Sequence, residues 1–180
     1  MKKVFLLLLL PLLVGCGNSK VAEPTPTKSA IKNINIPATC QDSKVLEALK
    51  KEIPDAVFID TKWTPAPNTE LADFLNNGGI ACSFGVASAE IGVTVRWVLD
   101  KSNNFEKWRK NWIESGYVES NLSEYSLPKG YLLIKPQSET QEFSIWSLNF
   151  KSGGVWVSIN RTFGENLDAG KDIINAVLSQ

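Results

Sequence analysis

Histidine is absent from all 180 residues. That removes the commonest general base at neutral pH and the commonest transition-metal ligand. A Ser-His-Asp or Cys-His site is excluded, and chemistry here would have to run through paired carboxylates or lysine. An excess of one charge is missing too. Nineteen basic residues balance nineteen acidic ones, and no basic run exceeds two residues. A nucleic-acid or anionic-lipid surface would show a basic patch, so neither is an expected partner.

Local catalytic signatures are equally scarce. "LDAGKD" (167–172) lacks the spaced glycines of a phosphate loop, calcium-loop spacing does not occur, and Ser83 in "CSFG" is not framed as a nucleophile elbow. Glu139 and Glu142, three apart in "QSETQEF", sit in a polar turn without aromatic or glycine framing, which reads as a solvated loop rather than an acid/base pair. "NLS" at Asn121 and "NRT" at Asn160 match a glycosylation acceptor but read as coincidence. No catalytic residue, cofactor or metal site is expected.

No apolar run reaches membrane-spanning length. The longest, "VFLLLLLPLLV" (4–14), would make a helix of about 16 Å against a hydrocarbon core of about 30 Å, and Pro11 interrupts it. With Lys2 and Lys3 before it and Gly15 after it, residues 1–15 read as a secretory signal. Without those two lysines, 17 basic residues face 19 acidic ones, a net charge of −2. The remaining length suits one domain with a real core.

Leu13-Val14-Gly15-Cys16 resembles the bacterial lipobox. The resemblance implies that Cys16 carries diacylglycerol, that cleavage falls before it, and that the protein is held on the extracytoplasmic face of the cell membrane. Two or three acyl chains, at about 0.8 kcal/mol per buried methylene, anchor a protein durably. Residues 16–35 then form a lipidated N-terminus and linker. "GNSKVAEPTPTKSAIKNIN" is rich in Pro, Thr, Ser and Lys, and such a coil gives a standoff on the order of 25 Å.

Cys40 and Cys82 are the only other thiols. An even pair in an exported protein is most simply a disulfide. Closing so long a loop is worth roughly 4 kcal/mol in the chain-entropy model. A redox pair would want a C-x-x-C spacing.

Residues 36–180 read as a single α+β domain, a mostly antiparallel sheet flanked by helices. Helical patterns fall in 42–53, with Asp42 or Ser43 as N-cap and Val45, Leu46, Leu49 and Ile53 on one face, and in 68–77, with Leu71, Phe74 and Leu75 inward. A third runs from Asn103, with Glu106 completing a capping box and Phe105, Trp108, Trp112 and Ile113 forming the stripe. A fourth closes the chain on Leu167, Ile174, Val177 and Leu178. Strands are expected at 80–86, 93–100 and 130–136. "FSIWSLNF-KSGG-VWVSINRTF" reads as a hairpin.

A first cysteine opening a helix, a "GGIACSF" strand carrying the second, and Phe84 two residues beyond it follow a lipobox and a Pro/Thr/Ser tether. This arrangement resembles small actinobacterial cell-envelope lipoproteins. The resemblance implies a sandwich similar to the Mog1/PsbP-like fold, and no catalytic residue.

Of six tryptophans, Trp97, Trp108, Trp112 and Trp146 sit on apolar faces and are expected in the core. Trp156 faces away from Val155, Val157 and Ile159, and Trp63 lies in the Pro-rich "TKWTPAPNT"; these two are the candidate binding surface. The expected function is that of a monomeric, membrane-anchored, non-catalytic module that binds an envelope protein or small molecule. The alternative is a His-free enzyme acting on cell-wall glycan through two carboxylates.

Overall fold

A computed structural model describes residues 33–180. The expected signal, Cys16 with its expected lipid, and most of the linker lie outside the described residues. No helix among the described residues is long and apolar enough to cross a membrane.

Alternation of apolar and polar residues builds one seven-stranded sheet. Its strands are β1 (Val57–Ile59), β2 (Ile80–Val86), β3 (Ile91–Leu99), β4 (Val118–Ser120), β5 (Gly130–Lys135), β6 (Ile145–Ser152) and β7 (Val155–Thr162). They lie in the order β1-β2-β3-β7-β6-β5-β4, and every pairing is antiparallel. The expected α+β fold is thus the observed one. The β6–β7 hairpin turns on Gly153 and Gly154, at φ of 58° and 83°; two residues in that region match the twist of the flanking strands, and glycine adopts it without cost.

Four helices cover the sheet: α1 (Val45–Lys50), α2 (Glu70–Asn76), α3 (Asn104–Glu114) and α4 (Lys171–Leu178). α1 and α4 lie on one face. There Val45, Leu49, Ile173, Ile174 and Val177 meet Cys82, Phe84, Val95, Trp97, Trp146, Leu148, Phe150 and Ile159 in the main core. Ile34 is buried in the same core. Cys40 and Cys82 form the disulfide, with Cα atoms 5.4 Å apart, so it ties the chain ahead of α1 to β2, the strand next to the β1 edge.

α2 and α3 lie on the other face, over a smaller aromatic cluster of Phe74, Val98, Phe105, Trp112, Tyr131 and Trp156. Phe74 meets Trp156 at a 45° tilt with ring centroids 4.0 Å apart, and Phe105 and Trp112 approach it edge-on. Such geometry suits the quadrupoles of the rings.

Several local expectations need correction. α2 is capped by Thr69, whose hydroxyl accepts from the Ala72 N–H (3.2 Å), and it buries Ala72 and Phe74. Leu71 and Leu75 are only half-buried. α3 is not capped by Asn103 and Glu106. The Asp100 carboxylate accepts from the backbone N–H of Asn104 (2.7 Å) and Phe105 (3.3 Å) and pairs with Lys151 at 2.7 Å. A residue at the end of β3 therefore holds the helix start, and Asn103 serves as the left-handed link (φ 55°). Ile113, placed on the stripe by spacing, is exposed, because the layer below α3 ends there. The short edge strands β1 and β4 are too brief for an alternating pattern to announce them.

Candidate functional site

The two candidate tryptophans do not share a surface. Trp156 does face away from Val155, Val157 and Ile159, but that side is roofed by α2 and α3 and leaves the indole fully buried. Its N–H donates to the Asn149 carboxamide oxygen at 3.3 Å. Trp63 is half-buried; its N–H donates to the Ala81 carbonyl at 2.9 Å, pinning the segment between β1 and α2 to the sheet. Trp156 is not part of a surface because half of the strand's second face carries a second layer.

The other half is open. Register places Ile59, Ser83, Thr94, Asn160, Ser147 and Leu133 side by side across six strands. The next row toward the sheet's end begins Val57, Gly85 and Gly92, followed by Thr162, whose hydroxyl accepts from the Gly92 N–H (3.0 Å). Between them lies a trough of about 480 Å³ lined by Ile59, Ser83, Thr94, Asn160, Thr162 and Ile145 among others. Val57 and Ile145 stand exposed at its flanks. The close pairing of β2 and β3 requires glycine at 85 and 92: a Cβ on Gly92 would lie 2.3 Å from the Phe84 carbonyl oxygen, and one on Gly85 would lie 2.1 Å from that of Ile91.

The polar row is linked by hydrogen bonds. The Ser83 and Thr94 hydroxyls are 3.0 Å apart. The Asn160 amide donates to the Ser158 hydroxyl (3.2 Å), and its oxygen accepts from the Ser147 hydroxyl at 2.5 Å. Tyr117 donates to Ser147 (2.8 Å) and closes the β6 side. Burial raises the Tyr117 phenol above its ordinary value.

Glu70 and Arg96 close the inner end, beneath α2. The carboxylate accepts from Arg96 (3.2 Å) and Ser158 (3.3 Å) on one oxygen and from the Trp112 indole (2.6 Å) on the other. Glu70 thereby joins α2, α3, β3 and β7. Its side chain is 20% exposed and that of Arg96 17%. Burial pushes the Glu70 carboxyl above the usual carboxylate range, against the pull of the Trp112 bond and the Arg96 charge, and burial lowers the Arg96 guanidinium. One helical turn on, Asp73 accepts from the Trp108 indole (2.6 Å) and Lys107 (2.9 Å). There burial is outweighed by these bonds and by the Lys107 charge, so the Asp73 carboxyl lies below its ordinary range.

With both its oxygens engaged, Glu70 is placed to brace the α2/α3 layer beside the trough. Glu139 and Glu142 are exposed in the loop between β5 and β6. Among the described residues, no group of three or more Cys, Asp or Glu side chains is arranged to hold a metal ion.

The sequence held part of the signal for this site. Thr94 and Asn160 interrupt the apolar run of β3 and β7 on the face away from the main core. Their meeting with Ser83 and Ser147 is a matter of register between strands distant in the chain. Comparison with family models, with curated proteins and with solved structures finds no match.

Proposed function

We propose that this chain is a lipid-anchored module of the cell envelope that binds a ligand in the trough on the open half of the α2/α3 face. The observation that carries the reading is the trough itself: a concave, partly apolar surface with convergent polar groups, the usual character of a small-molecule site. Its polar groups are held from one side by the braced α2/α3 layer, through Ser158 to Glu70 and Tyr117 to Ser147.

The placement of the tether fits the same reading. Asn35 donates to the Gln180 carbonyl (3.1 Å), and Lys44 donates to that of Ser179, so the chain enters beside the C-terminal end of α4. α1 then runs toward Glu52, which pairs with Arg161 at 2.8 Å, next in the chain to Asn160 and Thr162. The tether root and the trough therefore lie on opposite faces and toward opposite ends of the sheet. A tether from Cys16 would leave the trough unobstructed.

Two experiments test the two halves of the proposal. The native protein should begin at an acylated Cys16 by mass spectrometry, and Cys16→Ser should release it from the membrane fraction; an unmodified N-terminus retained in the cytosol would defeat the anchor. For the trough, a fragment screen read on isoleucine methyl resonances should cluster at Ile59, Ile91 and Ile145. Hits concentrated on the groove between α1 and α4 instead would remove the site.

A further inference from the structure

We infer that the trough is built for an uncharged linear oligosaccharide laid across the strands, with successive sugar units over Ser83, Thr94 and Asn160. This deepens the binding reading above and rests on it.

The hydrogen-bond inventory is the first argument. Ser83 and Thr94 share one hydrogen bond, so one of the two hydroxyl protons remains to be donated outward. Asn160 uses one amide hydrogen on Ser158 and its oxygen on Ser147, leaving its second amide hydrogen free. Both hydroxyl oxygens keep lone pairs as well. The row therefore offers donors and acceptors in alternation, the complement of a sugar's hydroxyls.

Charge is the second argument. Arg161 shows its backbone to the trough; its side chain points to the other face, bonded to Glu52 and to the Ala169 carbonyl. Arg96 is paired with Glu70. The charged side chain at the rim is Glu90. None of the lining side chains is a free cation; Lys135 stands beyond the lining, opposite Ile145 on β5, and Glu90 at the rim would repel an anion. An alkyl chain would cover the three polar side chains without replacing their water, which costs free energy for each.

Spacing is the third. Ser83, Thr94 and Asn160 stand on three adjacent strands in register, so the polar positions repeat at roughly 4.8 Å, about the span of one pyranose ring in a chain. Ile59, Val57 and Ile145, with the bare backbone of Gly85 and Gly92, provide the apolar surface for the ring C–H faces. A peptide strand would instead need main-chain partners, and the ladder here is already satisfied within the sheet.

The test uses the full chain as the cell makes it, labelled at isoleucine δ1 methyls. It is titrated separately with chitotriose, cellotriose, trigalacturonate and 1-octanoylglycerol. An uncharged trisaccharide should shift Ile59, Ile91 and Ile145 saturably at millimolar concentration and leave Ile173 and Ile174, fully buried in the main core, unmoved. Thr94→Val and Asn160→Ala should each weaken that binding about three- to tenfold, one lost hydrogen bond apiece. If trigalacturonate or octanoylglycerol moves the trough methyls and the uncharged sugars do not, the oligosaccharide assignment is overturned while the trough remains a binding site. If no probe moves them, both fall.

Discussion

The two faces of the sheet solve the same problem differently. The α1/α4 face is mainly apolar, with Arg161 paired to Glu52, and is closed by a disulfide. The α2/α3 face mixes an aromatic cluster with a buried carboxylate and leaves half its width uncovered. The first holds the fold together by area removed from water. The second gives up some of that area and gains a set of oriented polar groups. That division, a rigid back and an addressable front, is what the proposed binding role would require.

The comparison can be broken first at the back. Trp146 is fully buried in the main core, its indole donating to the Asn166 carbonyl at 2.8 Å. Trp146→Ala should cost about 4–5 kcal/mol in chemical denaturation; a loss below about 1 kcal/mol would show that the back is not the stabilising face. Replacing both Cys40 and Cys82 by serine should cost roughly 4 kcal/mol, from freeing a chain of sequence separation 42 in the unfolded state. Reductant should lower the melting temperature of the wild type and leave that of the double variant unchanged.

At the brace between the faces, Glu70→Ala strands the Trp112 and Ser158 donors and the Arg96 charge. The expected loss is about 3 kcal/mol. Glu70→Gln keeps an acceptor and resembles the protonated acid, so it should stay within about 1 kcal/mol of wild type at neutral pH. The sign of the pH effect follows from the raised folded-state value of Glu70. Stability from protonating this carboxyl is present below the ordinary glutamate value of about 4.3 and is lost as pH rises through the folded one. Wild type should therefore gain on Glu70→Gln as pH falls from neutrality toward that value. Parallel melting curves for the two across that range would show that burial does not govern this carboxyl.

The smallest effect belongs to the front. Thr94→Val removes a partly exposed hydroxyl from the trough and should change stability by no more than about 0.5 kcal/mol. A cost of 2 kcal/mol or more would mean that the polar row carries the fold, not a ligand.

Much of the frame was legible beforehand. The hairpin at Gly153-Gly154 and the faces of the central strands follow from local periodicity, and the Cys40–Cys82 pairing was expected on the reading that Cys16 is taken by lipid. The caps and roofs were less legible. Asn103 was the natural choice to start α3 until Asp100, folded back from β3, took the donors. Trp156 read as exposed because nothing near it in the chain says that Phe74, Phe105 and Trp112 will cover it. The trough was not legible as a site at all.

The sequence by itself determined the strand and helix periods, the glycine turn and the α+β class, because those depend on repeats of two and 3.6 residues within a single segment. Only the tertiary structure decided which half of the second face is roofed and which hydroxyls stand in a row. Those depend on register and on contacts such as Ser158 to Glu70, 88 residues apart, which no local pattern encodes.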